Sequence, residues 1–107
     1  MSAEPLTHEE RCLLLEFARR SIEMALNGEV FHPPALETLL PHLREPGVCF
    51  VTLTLPGGEL RGCIGGLEPT QALALDVCEH AVAAARDDYR FFPVRPDELP
   101  AIVAEPK

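Results

Sequence analysis

Positive charge is scarce in this chain: nine lysines and arginines stand against 17 aspartates and glutamates, a formal net charge of −8 over 107 residues. Phosphate backbones require a basic face, and here the basic residues are few and scattered, so nucleic acid is not the expected partner. Long apolar runs are missing as well. None approaches the ~20 residues of a membrane-spanning helix, so no membrane partner is expected. A basic segment followed by an apolar core is also lacking, so no secretory signal is expected. The four cysteines, at 12, 49, 63 and 78, form no C-x-x-C pair, and no histidine pair lies at zinc-finger distance from them. No metal or other cofactor is therefore predicted. The thiols read as reduced and the location as cytoplasmic. Internal repeats, low-complexity tracts and heptads are absent too, which excludes solenoids and coiled coils.

What remains is an ordinary composition for one small domain, 47% hydrophobic and 24% charged. Thr7-His8-Glu9-Glu10 has the form of a capping box, and Leu14, Phe17, Ala18, Ile22, Ala25 and Leu26 follow at helical spacing. Asn27-Gly28 is a stop, so a helix is predicted over about 8–26. Glu9, Arg19, Arg20 and Glu23 lie on its other face and read as a solvated surface. Cys12 reads as a small buried or half-buried residue. Pro33, Pro34, Pro41 and Pro46 allow only a helical turn or two near Ala35 to Leu40. His32 and His42 on either side read as loop histidines.

Gly47 to Leu55 and Leu60 to Ile64 read as a β-hairpin over about 48–64, joined at Pro56-Gly57-Gly58-Glu59. An even loop pairs Leu55 with Leu60, Leu53 with Gly62 and Val51 with Ile64 on one apolar face. Thr54 with Arg61 and Thr52 with Cys63 then share the other, and Phe50 falls opposite Gly65. An odd loop would mix the faces, so the even one is expected. Cys49 falls on the core side and is expected to be inert. Thr70 can cap a second helix over about 71–86, with Leu73, Val77, Cys78, Ala81, Val82 and Ala85 inward. Asp76 and His80 are spaced to meet on that helix. They read either as a surface pair or as a carboxylate that orients a histidine base. Tyr89-Arg90-Phe91-Phe92 can stack a ring or bind an anion, though such a segment more often tucks its rings into the core. Asp97-Glu98-Leu99 reads as a single turn and Ile102-Val103-Ala104 as the beginning of a strand. The elements make an α+β fold with a mainly antiparallel sheet and flanking helices.

The chemistry-bearing stretch is Leu60-Arg61-Gly62-Cys63-Ile64-Gly65-Gly66. On a regular strand Arg61 and Cys63 point the same way, and a guanidinium beside a thiol favours the reactive thiolate. Glycines at 62, 65 and 66 let a backbone or a ligand come close. Cys63 is thus a candidate nucleophile, His80 a candidate base and Asp76 its orienter. Arg61, Gly62, Gly65 and Thr52 are candidate ligand-binding residues. The same patch, together with the Phe91-Phe92 loop, also reads as a binding module without turnover.

Gly47-Val48-Cys49-Phe50-Val51-Thr52-Leu53, Leu60-Arg61-Gly62-Cys63-Ile64-Gly65, Leu67-Glu68-Pro69, the alanine-rich helix, Tyr89-Arg90-Phe91 with Pro93-Val94, and Glu98-Leu99 together resemble the AMMECR-one domain family, called AmmeMemoRadiSam system protein A in bacteria and archaea. The resemblance implies an α+β fold. It also implies action with a Memo-type protein and a radical SAM enzyme, and it places the family's presumed functional motif on Leu60 to Gly65. Asp88-Tyr89 stands where the family usually has aspartate-proline. The resemblance extends from about residue 7 to Lys107 and matches the N-terminal part of the family, whose members continue for a comparable length. A sheet edge left unpaired would then be expected to find cover, for example by self-association.

Overall fold

The computed structural model describes residues 6–106; Lys107 lies outside the described residues. Three α-helices and a three-stranded antiparallel sheet form two layers. α1 is His8–Leu26, α2 is the single turn Pro41–Arg44 and α3 is Leu73–Arg86. The strands β1, Phe50–Thr54, β2, Leu60–Gly65, and β3, Val103–Pro106, lie in the order β2-β1-β3.

α1 starts as its capping box requires. The Thr7 hydroxyl accepts the Glu10 N–H at 3.1 Å, and Glu10 Oε1 accepts the Thr7 N–H at 2.9 Å. Leu14, Phe17, Ala18 and Ile22 are buried as their spacing predicts. Two readings on this helix are corrected. Cys12 is exposed, beside His8 one turn back. Arg19 is not merely solvated: it donates to the Ile102 carbonyl at 2.6 Å and the Leu99 carbonyl at 2.8 Å. It thereby ties α1 to the 3-10 turn Leu99–Ala101 and to the start of β3.

Glu10 does more than close the cap. It is buried, and His42 of α2 brings its Nδ1 within 2.7 Å of Oε1 and donates its backbone N–H to Oε2 at 3.2 Å. His42 is therefore a partnered, largely buried histidine and not a free loop residue. Burial pushes the Glu10 carboxyl up, but the hydrogen bonds from Thr7 and His42 outweigh it and hold it at about 2, against an ordinary 4.5.

The hairpin pairs Phe50 with Gly65, Val51 with Ile64, Thr52 with Cys63 and Leu53 with Gly62, as the apolar pattern predicts. Its turn differs. Gly58 N–H bonds the Leu55 carbonyl at 2.8 Å, and Leu55 N–H bonds the Glu59 carbonyl at 2.9 Å, so the loop is odd. Gly58 takes a φ of +86°, the left-handed residue that such a loop needs. A β-bulge then skips Arg61, so that Thr54 faces Leu60 instead of Arg61. The odd loop and the bulge cancel, and the core face is kept.

α3 begins later than expected, at Leu73, with no side-chain cap from Thr70. Its first N–H is met from elsewhere: Leu73 N–H bonds the Glu45 carbonyl at 2.9 Å, and Gly47 N–H in return bonds the Gln71 carbonyl just before the helix at 3.1 Å. The segment leading into β1 thus does the capping. α1 and α3 pack on the sheet face that carries Val51, Leu53 and Gly62. Gly62 is what lets α3 approach, because a Cβ there would overlap the Ala84 carbonyl oxygen of the helix backbone. The other sheet face carries Phe50, Leu60 and Val103, each 40–48% exposed, with Thr52, Thr54 and Cys63 between them. No described element covers it.

Two outcomes are expected. Gly62→Ala should destabilise the fold by about 3 kcal/mol in urea melts. Gly65→Ala, whose new methyl first meets the half-exposed Phe50 side chain rather than backbone, should cost less, because that side chain can turn aside. The Glu10 contribution is complete above pH 4.5 and is lost as pH falls towards 2, because the folded carboxyl lies below its unfolded value. Thermal melts should show that acid-side loss, and Glu10→Ala should lower stability at neutral pH by about 2 kcal/mol.

Candidate functional site

The edge strand β2 and the loop after α3 together build the site. The loop is fixed first at Asp88. This carboxylate is 6% exposed, and its Oδ2 accepts the Cys63 backbone N–H at 3.0 Å, on the side of β2 that has no strand partner. It also takes a fork from Arg90: Nε to Oδ1 at 3.0 Å and Nη2 to Oδ2 at 2.7 Å. The Arg90 hydrogen bonds outweigh desolvation and hold the Asp88 carboxyl far below the usual carboxylate range. Val94 N–H bonds the Ala85 carbonyl at 2.7 Å, which folds the loop back on the end of α3.

Arg61 is carried out of the regular ladder by the bulge and meets Glu98. Its Nε donates to Oε2 at 3.0 Å and its Nη2 to Oε1 at 3.1 Å, with the Arg61 side chain only 11% exposed. That fork pulls the Glu98 carboxyl below its ordinary value. Phe91 meets both cations, its ring centroid 5.9 Å from the Arg61 guanidinium and 5.5 Å from that of Arg90. Around these groups runs a groove of about 950 Å³, lined by Arg61, Arg90, Arg95, Glu98 and residues 89–93. Its rings do not tuck into the core as such segments more often do: Tyr89 is 95% and Phe92 89% exposed. Each paired arginine spends two of its five guanidinium donors on its carboxylate.

The remaining candidates divide between the two sides of the sheet. Thr52 and Cys63 do meet, with Oγ1 3.4 Å from Sγ, on the open face. Gly65 beside them leaves room for the Phe50 ring. His80 belongs to α3 on the opposite side, where its Nδ1 lies 3.1 Å from Asp76 Oδ2 and 3.0 Å from the Asp76 carbonyl. Asp76 is 2% exposed, so the two are a buried pair and not a surface one. The structure therefore joins Asp76 to His80 and Thr52 to Cys63, but it does not bring His80 to Cys63, because strand alternation turns the thiol away from α3. The Arg61 guanidinium is likewise committed to Glu98. Cys49, on the core side as expected, donates its backbone N–H to Asp76 Oδ2 at 3.1 Å. Burial first, then the Asp76 charge, push its thiol up to about 12.

Sequence reasoning missed Asp88 and Glu98 as site residues, and it read Arg90 as an anion-binding or stacking residue without its pairing to Asp88. The aspartate two residues before an arginine, directly after a helix, was a usable local signal for an Asx turn. For Glu98 there was none, since it pairs with a residue 37 positions away.

An α+β domain with an arginine-and-ring groove along one edge strand is the class that this fold and site define. The chain belongs to the AMMECR1 family, whose model matches residues 15–105. It is 41% identical to a protein of Thermofilum pendens over 110 residues, covering 94% of this chain and 51% of that protein. It is also 41% identical to Protein MJ0810 of Methanocaldococcus jannaschii over 101 residues, covering 94% of this chain and 49% of the other. The crystal structure of the uncharacterized protein PH0010 from Pyrococcus horikoshii superimposes with a TM-score of 0.82 at 35% identity, over 91% of this chain and 49% of that one. The chain thus spans about half the length of the relatives it matches.

Thiol exposure sets an order that alkylation and mass spectrometry can read. Cys12 should react first and Cys63, half-buried, second, while buried Cys49 and Cys78 should stay protected until unfolding. A native-state Cys49 that reacts as fast as Cys12 would contradict the burial described.

Proposed function

We propose that this chain is a non-catalytic binding module that works within an AmmeMemoRadiSam-type system, with a Memo-type protein and a radical SAM enzyme as its partners. The groove between Arg61, Glu98 and residues 89–93 is the surface that receives a partner. One observation carries the reading: Tyr89 and Phe92 stand 95% and 89% exposed at the rim of a groove that also holds three arginines. Exposed tyrosine, phenylalanine and arginine are the residue types on which protein interfaces concentrate their affinity. The enzyme reading asks for a base within about 3 Å of the Cys63 thiol. Its hydrogen-bonding neighbour is Thr52, and the histidine expected for that role is engaged with Asp76 on the far side of the sheet. Four free thiols favour the cytoplasm as the place of action.

Titration calorimetry of the chain against each of the two purified partner proteins tests this. Tyr89→Ala with Phe92→Ala should weaken association at least about tenfold at an unchanged melting temperature, whereas Cys63→Ser should leave it intact. The reading fails if neither partner binds. It fails equally if Cys63→Ser abolishes a turnover to which the aromatic pair contributes nothing, which would restore Cys63 as a nucleophile.

A further inference from the structure

Where β1 begins beside α3, three groups from two distant parts of the chain converge: the Cys49 thiol, and the Asp76 carboxylate and His80 imidazole one turn apart on α3. One donor atom from each lies within 4.8 Å of the other two. Cys49 and Asp76 are buried, and the His80 side chain is 16% exposed. This cluster stands apart from the groove on β2, and no step of the binding reading uses it.

Its geometry is that of a metal-ligand set. A tetrahedral zinc ion, bonded at about 2.3 Å to sulfur and about 2.0 Å to oxygen and nitrogen, places sulfur and oxygen about 3.5 Å apart and nitrogen and oxygen about 3.3 Å apart. Here Cys49 Sγ is 3.4 Å from Asp76 Oδ2, and His80 Nδ1 is 3.1 Å from the same oxygen. That one oxygen is oversubscribed. It faces the Cys49 backbone N–H, the Cys49 thiol and the His80 ring nitrogen together. A single cation can replace the last two protons and leave the backbone hydrogen bond in place. The carboxylate is already oriented from behind, since Gln71 Nε2 donates to Asp76 Oδ1 at 3.4 Å and to Glu79 Oε2 at 2.6 Å. Such outer partners are what hold a ligand in position. Gly66 faces the His80 ring, and a Cβ there would come within 3.2 Å of Cε1. With three protein ligands, a tetrahedral ion would keep its fourth position for water or another small donor.

We propose that Cys49, Asp76 and His80 form a binding site for a divalent metal ion, with zinc the ion that suits a sulfur, oxygen and nitrogen donor set. Binding exchanges the thiol proton for the metal: the ion enters, a thiolate–metal bond forms and one proton leaves to solvent. The proton displaced from His80 Nδ1 is taken up at Nε2, so the imidazole stays neutral and supplies its Nδ1 lone pair without a net loss of protons.

The test uses the whole chain, Co²⁺ as a spectroscopic probe and Zn²⁺ as its competitor. A tetrahedral thiolate site should give a saturable near-ultraviolet thiolate-to-cobalt band at one Co²⁺ per chain, displaced by Zn²⁺, with one proton released per ion. Cys49→Ser keeps a hydroxyl to hydrogen-bond Asp76 and should abolish the band. His80→Gln, at the exposed side of the cluster, should weaken binding at least about 100-fold while the far-ultraviolet spectrum stays native. Cys12→Ser and Cys63→Ser should leave the band unchanged; the first removes the exposed thiol 3.5 Å from His8 Nε2, the other place where the described residues pair a thiol with an imidazole. The proposal is overturned if no saturable band forms, if the band survives Cys49→Ser, or if Cys12→Ser alone removes it.

Discussion

Everything on the edge of this sheet depends on how closely the α3 backbone lies against β2 at Gly62. The Ala84 carbonyl occupies the volume that any side chain at Gly62 would need. Because the helix comes that near, its C-terminal end reaches the outer edge of β2, and Asp88 can accept the Cys63 N–H. Asp88 in turn holds Arg90, Arg90 and Arg61 both lie against the Phe91 ring, and the groove runs beside them. A site that looks like a loop feature is therefore a consequence of one backbone-to-backbone contact in the core.

Two buried aspartates, one at each end of α3, fasten that helix to the hairpin. Asp76 at the first turn receives the N–H that precedes β1, and Asp88 past the last turn receives an N–H of β2. Each is a charge taken out of water, which costs free energy unless several donors meet it. Asp88 has three donor groups of Arg90 as well as the Cys63 amide, and Asp76 has Cys49, Gln71 and His80. The same logic serves at Glu10, where α1 is joined to α2. The acidity of the composition is thus partly structural: three of the acidic residues are internal connectors.

This architecture changes the meaning of the most conspicuous motif. In Leu60-Arg61-Gly62-Cys63-Ile64-Gly65, Gly62 serves helix packing, Arg61 an ion pair with Glu98, Ile64 the core and Gly65 the Phe50 ring. Cys63 is left with its side chain on the open sheet face, beside Thr52 and on the same side as Leu60. That face carries half-exposed Phe50, Leu60 and Val103, and the chain spans about half the length of its relatives.

What the sequence determined by itself was whatever rests on near neighbours along the chain. The capping box of α1, the inward stripe of Leu14, Phe17, Ala18 and Ile22, and the pairing of Thr52 with Cys63 were all legible. Each follows from periodicity, or from an apolar pattern that only one register satisfies. The family could be read from ordered motifs along the whole chain, and the Asp76–His80 meeting from helical spacing. The tertiary structure decided the rest. The odd loop and its compensating bulge preserve the same core face as an even loop, so the apolar pattern could not tell them apart. Arg61 with Glu98, Glu10 with His42, and Arg19 with the Leu99 and Ile102 carbonyls join residues 32 to 83 positions apart. No local pattern encodes which distant partner a buried charge will find; packing brings the pair together, and desolvation makes the pairing obligatory.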